Sequence, residues 1–313
     1  MAEKKATRDA YGEALVELGK VNPKIVVLDA DLSQSTKTAA FARTFPERFV
    51  QMGIAEQDLI GTAAGLATAG KIPFASSFAV FATGRAYDQV RNSVAYGQLN
   101  VKIAATHAGI TVGEDGGSHQ MLEDIALMRA VPGMTVIVPA DAVEAKAAVE
   151  AAAEYVGPVY LRLGRGKWPV IYDEGHEFEI GKASLLSKGD DATIIACGVM
   201  VSQALEAARL LEAQDISVRV LDMATIKPLD TEAVVKAAKE TGAIIIAEEH
   251  SVIGGLGSAV AEVLGERCPA LMERIGVKDT FGQSGTPDEL LEFYGLVSKD
   301  IVAAVKRVLE RKA

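Results

Sequence analysis

Two of the chain's four histidines, His107 and His119, bracket one segment of unusual composition, THAGITVGEDGGSH. It carries Gly109, Gly113, Gly116 and Gly117 together with two acids, Glu114 and Asp115. Glycine loses more backbone freedom on folding than any other residue, so a long glycine-rich stretch is costly as plain scaffold. Imidazole and carboxylate groups on such a stretch suit ligand binding and proton transfer near neutrality. The plainer reading is a surface loop with solvated charges. A second cluster is GIAEQ, residues 53–57, where Glu56 stands between an extended run (49–53) and a long apolar helical pattern. A carboxylate in a first helical turn is favoured by the helix dipole. It could instead be buried against a ligand nitrogen, where loss of water raises its affinity for a proton. The third cluster, SSFAVF (76–81), sets Phe78 and Phe81 three residues apart just after an apolar run. Such a pair either packs a core or offers a flat face to an aromatic ring.

The elements that must position these groups follow from the pattern of apolar runs. Strands are expected at 25–28, 74–76, 101–106, 135–138, 159–163, 192–197, 218–221, 243–248 and 271–275. Helical patterns lie between them, at 8–19, 57–69, 121–130, 141–154, 202–213 and 231–240. Non-alternating Val/Ile strands separated by helices point to an α/β fold of mostly parallel sheets with helices on both faces. The stretch Gly164–Gly181 breaks the rhythm with glycines, prolines, a tryptophan and mixed charges. This gives two expected domains, 1–164 and 188–313, joined by a linker over 165–187. The loop 106–120 follows an expected buried strand. In an open parallel sheet, ligands bind beyond the carboxyl ends of the strands.

Composition narrows the function. Of 313 residues 49% are hydrophobic, enough for packed cores and too many for a disordered chain. The formal net charge of −10 argues against general nucleic-acid or anionic-membrane binding, which need a basic face. A small anionic substrate stays open, because a few converging arginines can hold a phosphate. Cys197 and Cys268 have no CxxC spacing and read as core residues of a reduced compartment. The start MAEKKATRD has no apolar signal core, so a cytoplasmic protein is expected. GGLG (254–257) lacks the third glycine of a dinucleotide fingerprint and reads as a tight helix entry, and GRGK (164–167) lacks P-loop spacing. No zinc spacing and no Gly-x-Ser-x-Gly elbow is present.

In this order and spacing the clusters resemble transketolases. The matching segments are KATRDAYGEAL (5–15), DADLSQS (29–35), MGIAEQDLIGTAAGLA (52–67), FASSFAVF (74–81), THAGITVGEDGGSHQ (106–120), TVIVPADAVEAK (135–146), LGRG (163–166), IKPLD (226–230) and AEEHSVIGGLGSAV (247–260). The resemblance implies thiamine diphosphate as cofactor, whose ring performs the carbanion chemistry while the protein positions it. It implies that Glu56 hydrogen-bonds the aminopyrimidine ring, that Phe81 stacks on that ring with Phe78 beside it, and that Asp31 lies near the thiazolium. Arg8, Ser35, His107 and Arg165 would hold a sugar phosphate, a task that suits the planar fork of guanidinium. Asp115 would read a donor hydroxyl and His119 the donor's carbonyl end. Catalytic roles would fall to Glu56, His107 and His119. The implied reaction moves a two-carbon ketol unit from a ketose phosphate to an aldose phosphate.

The family's diphosphate-binding domain carries GDG and a downstream Asn that hold magnesium and the diphosphate. No GDG occurs here. The chain opens with Met and a short charged leader at the family's pyrimidine-binding domain. The expectation is therefore the C-terminal half of a split enzyme with no metal ligand of its own. A partner chain would supply GDG…Asn and the magnesium, in an α2β2 assembly. Two departures stand out. Gly117 replaces the usual proline of the loop and is expected to loosen it. Gly84 stands where many relatives carry a tyrosine, three places after Phe81, which leaves that wall of the pocket undefined. Three alternatives share the fold. Half of a deoxyxylulose-phosphate synthase shares the tail motifs. The beta subunit of a 2-oxo-acid dehydrogenase's decarboxylating component is not expected to carry the GEDG loop, both histidines and Arg165. A non-catalytic interaction module is expected to lose Glu56, Phe81, His107, Asp115 and Arg165 first.

Overall fold

The computed structural model describes residues 3–312. Runs such as Ile25–Asp29 and Lys102–Thr106 are buried along their whole length. A strand with no solvent face needs cover on both sides, which a parallel sheet between helices provides. Two such sheets form. The larger has seven strands in the order Thr225–Lys227, Thr135–Ile137, Val159–Arg162, Lys102–Thr106, Ile72–Phe78, Ile25–Asp29, Phe49–Gln51. The smaller has five, in the order Leu271–Val277, Ala243–Ser251, Ala192–Ala196, Val218–Asp222, Ser184–Ser187. Every pairing within them is parallel except at one edge of each, where Thr225–Lys227 and Ser184–Ser187 run antiparallel to their neighbours.

The α/β architecture and the nine expected strands are present. The added strands are short, and one of them joins the two halves of the chain. Thr225–Lys227 comes from the C-terminal half but extends the seven-stranded sheet by pairing with Thr135–Ile137. Lys227 Nζ then donates to the carbonyls of Arg129 and Val131 at 2.8 and 2.6 Å. A second tie pairs Lys4–Lys5 with Trp168–Pro169. Three helices start where a side chain takes up free amides. Asp141 accepts from Glu144 N ahead of Ala142–Glu154, and Asp230 from Ala233 N ahead of Thr231–Thr241. Thr286 and Glu289 form a reciprocal capping box at Pro287–Phe293. GGLG opens the helix Leu256–Arg267, as its sequence suggested. Cys197 is buried, Cys268 is half-buried, and both are unpaired. Among the described residues no helix is long and apolar enough to cross a membrane.

Strand order places the site. From Ile25–Asp29 the chain moves outward to Phe49–Gln51, then returns to pair Ile72–Phe78 on the opposite side. That reversal makes a switch point, where the loops leaving adjacent carboxyl ends diverge and open a crevice. The registers Asp29↔Ser76 and Phe78↔Thr106 bring the loops after three strands to one edge.

Candidate active site

Asp29 ends its strand fully buried and organises the first loop. It accepts hydrogen bonds from Leu32 N at 2.6 Å, Thr36 Oγ1 at 2.6 Å and Thr38 Oγ1 at 2.9 Å. Burial raises its affinity for a proton, and these donors oppose that. The loop so fixed holds Asp31 in the left-handed region, φ 63°. The Asp31 amide donates to Gln51 Oε1 at 2.8 Å, while Asp31 itself is exposed. Ser35 is half-buried, and its carbonyl accepts from Arg8 Nη1 at 2.9 Å.

The same Arg8 nitrogen meets His107 Nε2 at 3.2 Å. A guanidinium can only donate, so Nε2 is the acceptor and the ring proton sits on Nδ1. Nδ1 in turn reaches Thr106 Oγ1 at 2.9 Å. Burial, followed by the charges of Arg8 and Arg165, pushes the pKa of His107 down to about 3. His107 is thus held neutral and fixed, with Nε2 accepting from Arg8. Its backbone is left-handed, φ 57°, and its ring stacks on Phe78 with centroids 3.8 Å apart. Phe78 and Phe81 lie nearly parallel at 6.0 Å. His119 meets the face of Phe81 edge-on at 5.5 Å. Arg8, Ser35, His107, Phe78, Phe81 and His119 therefore form one continuous wall.

Glu56 closes the far end. It begins the helix Glu56–Thr68 and is 2% exposed. Neither oxygen caps that helix; both accept from Arg85 Nη1, each at 2.9 Å. The guanidinium of Arg85 lies 4.5 Å from the centre of the Phe81 ring. Residues Val80–Arg85 form a π-helical turn in which Ala86 N bonds back to Phe81 O. Such a turn closes on i→i+5 bonds, and Arg85, four residues after Phe81, lies on the same face. The sequence left the wall beyond Phe81 undefined at Gly84. In the structure Gly84 is exposed with open space around it, and Arg85 forms the wall.

The glycine-rich loop folds as tight turns over Ile110–Asp115. Arg165 Nη1 grips it, donating to Val112 O and to Glu114 Oε2, the latter at 2.7 Å. Asp115 is exposed. Gly117 packs closely against the C-terminal half. A Cβ there would stand 2.5 Å from the carbonyl of Gly282, so glycine permits close backbone approach by the C-terminal half. Arg85, Asp29 and Gln51 were not singled out from sequence. Arg85 carried a faint signal, as a cation four places after Phe81, a spacing that shares one helical face.

The arrangement is a slot with an aromatic wall, a buried carboxylate at one end and an arginine–imidazole pair at the other. A planar nitrogen heterocycle could stack on Phe81 and bond Glu56. An anionic polar ligand could engage Arg8 and His107. The profile described as "Transketolase, pyrimidine binding domain" matches residues 3–170, and "Transketolase, C-terminal domain" matches 181–301. A chain provisionally named a transketolase C-terminal section from Methanocaldococcus jannaschii is 54% identical over 309 residues, covering 98% of this chain and 96% of that one. The 6-deoxy-6-sulfo-D-fructose transketolase subunit SqwH of a Clostridium species is 48% identical, covering 97% and 95%. Human transketolase is 40% identical, but the match takes in 50% of its length. A solved structure described as a split gene transketolase, inactive beta4 tetramer, superposes with TM-score 0.93 at 60% identity, covering 98% of this chain and 99% of that one. With both profiles matched and the site built on their shared core, this chain belongs to the transketolase family and corresponds to its C-terminal half.

Proposed function

We propose that the chain is one subunit of a split transketolase that moves a two-carbon ketol unit between sugar phosphates with thiamine diphosphate. The observation that carries this reading is the slot between Glu56 and Phe81. Arg85 already fills it with a flat group of N–H donors, bonded to Glu56 and lying over the Phe81 ring. An aminopyrimidine has the same flatness and offers nitrogen to a carboxylate, so these residues fit the cofactor's ring. When bound, thiamine diphosphate supplies the carbanion chemistry at its thiazolium. Glu56 would hold the ring nitrogen and share its proton there. Phe81 and Phe78 would fix the ring plane and exclude water. Neutral His107, held by Arg8 and Thr106, would orient a substrate oxygen, with Arg8, Ser35 and Arg165 as the anion site. Asp31, Asp115 and His119 would contact the sugar and the thiazolium side.

Diphosphate and magnesium would be held by a partner chain carrying GDG…Asn, in an α2β2 enzyme of the cytoplasm. The described inactivity of the similar beta4 assembly supports a need for such a partner. We place the boundary between the pyrimidine-binding domain (1–164) and the C-terminal domain (188–313) in the 165–187 segment. The test is co-purification with the partner, followed by assay of xylulose 5-phosphate and ribose 5-phosphate. Ketol transfer by the pair and none by this chain alone is expected. Transfer by this polypeptide alone would refute the split. Arg8 and Arg165 would serve a sulfonate as well as a phosphate, so the donor panel includes the sulfosugar for which one relative is named.

Arg85 sets a second expectation. To admit a ring, it must give up its bonds to Glu56 and its place over Phe81. The side chain is 49% exposed, so solvent screening reduces that cost to about 1–1.5 kcal/mol. Arg85→Ala is expected to tighten thiamine diphosphate binding to the assembled enzyme about tenfold by calorimetric titration. Unchanged or weaker binding would show that Arg85 does not compete for the slot.

A further inference from the structure

The glycine-rich loop 109–120 has only the short 3₁₀ turns of Ile110–Asp115 as structure of its own, yet Asp115 and His119 depend on where it sits. Its backbone is held from outside, by the C-terminal half, along two lines of contact. The first is Glu249, a buried carboxylate on the strand Ala243–Ser251. Its Oε1 accepts from the amide of Thr111 at 2.6 Å. Gly109, at φ 81°, lies so close to the Glu249 carboxyl that a Cβ there would overlap it. The second line is the segment 282–287. Gln120 Nε2 donates to Ile110 O and Gly113 O inside the loop, at 3.2 and 3.1 Å, and to Gln283 O across the seam at 2.9 Å. Gly117 lies against Gly282 O, Gly116 against Ser284 Oγ, and Gly113 against the ring of Pro287. That ring stands in the first turn of the helix that Thr286 and Glu289 cap.

We propose that the C-terminal domain acts as the positioning element of this loop, through Glu249 and the 282–284 backbone. It holds Asp115 and His119 at a fixed height above the Phe81 wall for the hydroxyls of a bound sugar. This rests on the ketol-transfer reading above. Its physical reason is that a loop so rich in glycine has many unbound conformations. Ordering it before substrate arrives removes that cost from binding. A loop displaced by even 1 Å costs about 10²-fold in rate in well-oriented reactions. Glu249, Gly282 and Gln283 are positioning residues, since each acts through the loop.

The test uses the full chain for hydrogen exchange and the partner-reconstituted enzyme for kinetics. Glu249→Ala is expected to speed amide exchange across 109–120, and to raise KM for the ketose phosphate about tenfold. Cofactor affinity should stay within about twofold of wild type, because Glu56 and Phe81 lie outside the brace. Glu249→Gln, whose amide oxygen still accepts from Thr111, should restore both readouts. Gly117→Ala covers the case in which a buried change at Glu249 unfolds the domain. It lies on a half-buried turn, and its Cβ pushes against Gly282 O. It should speed exchange in the same segment and raise KM while the chain stays folded, with Tm falling by less than in Asp124→Ala. Wild-type exchange and KM in Gly117→Ala would overturn the proposal, as would Glu249→Gln behaving like Glu249→Ala. If the wild-type pair transfers no ketol unit, the functional reading fails. The exchange data then judge the brace by themselves.

Discussion

Glu56→Ala in the assembled enzyme is expected to lower kcat by about 10²–10⁴ at saturating cofactor, the usual scale for a positioned proton-transfer group. The structure gives two reasons to place the loss there. First, the carboxylate is buried, and its oxygens engage no helix amide, so its removal does not cost a cap. Second, it faces the slot beside Phe81, where a ring nitrogen would meet it. Glu56→Gln separates hydrogen bonding from proton sharing. Its amide keeps the shape and still bonds the ring, so it should bind cofactor better than the alanine variant while turning over almost as slowly. Steady-state rates at cofactor concentrations well above Kd decide the matter. A rate within a few-fold of wild type in Glu56→Ala would remove this residue from the mechanism.

What could be read from the sequence divides along physical lines. Strands buried on both faces write continuous apolar runs, as at Ile25–Asp29 and Ala192–Ala196, and all nine expected runs are strands, including the edge strand Leu271–Val277 that is buried only at its end. The three-residue strand Thr225–Lys227 writes no such run, because it lies on a sheet edge and is fixed by tertiary pairing. Glu56 and Phe81 were legible as candidates because each stands at a strand–helix junction beyond a carboxyl end. Helix-dipole and core-packing readings competed until burial and facing were known. Arg85 was hidden behind Gly84, the position where many relatives carry a tyrosine, although it stands four residues after Phe81, a spacing that sets the two side chains on one helical face. The role of Gly117 was hidden by distance along the chain. Its reason is the carbonyl of Gly282, which no local pattern announces.

Asp124→Ala is expected to cost about 3–5 kcal/mol of stability, the scale for breaking a buried ion pair from one side. Asp124 and Arg162 are both buried where the halves of the chain meet, and Arg162 Nε reaches Asp124 Oδ2 at 2.7 Å. Tyr160 donates to the same oxygen at 2.6 Å, and Arg162 Nη2 crosses to Glu249 O at 2.9 Å. Burial works against the Asp124 charge. Arg162, then His250, outweigh it and hold the carboxyl below its usual range. A carboxyl so depressed stabilises the fold above the unfolded value near 4, and that contribution fades as pH falls through the folded value. Removing Asp124 strands a buried guanidinium and a buried phenol, which explains the size of the loss. Asp124→Leu combined with Arg162→Met leaves neither charge of the pair behind and should recover part of it, the Tyr160 hydroxyl and the Glu249 carbonyl remaining without these partners. Urea unfolding of the three proteins reads the difference as a shift in midpoint. If the single and double variants unfold together, the pair is not what holds this seam. Because Arg162 also holds the backbone of Glu249, Asp124→Ala should lower Tm and loosen the 109–120 loop together. Gly117→Ala should loosen the loop at a much smaller cost in Tm, which separates the stability of the seam from the positioning it provides.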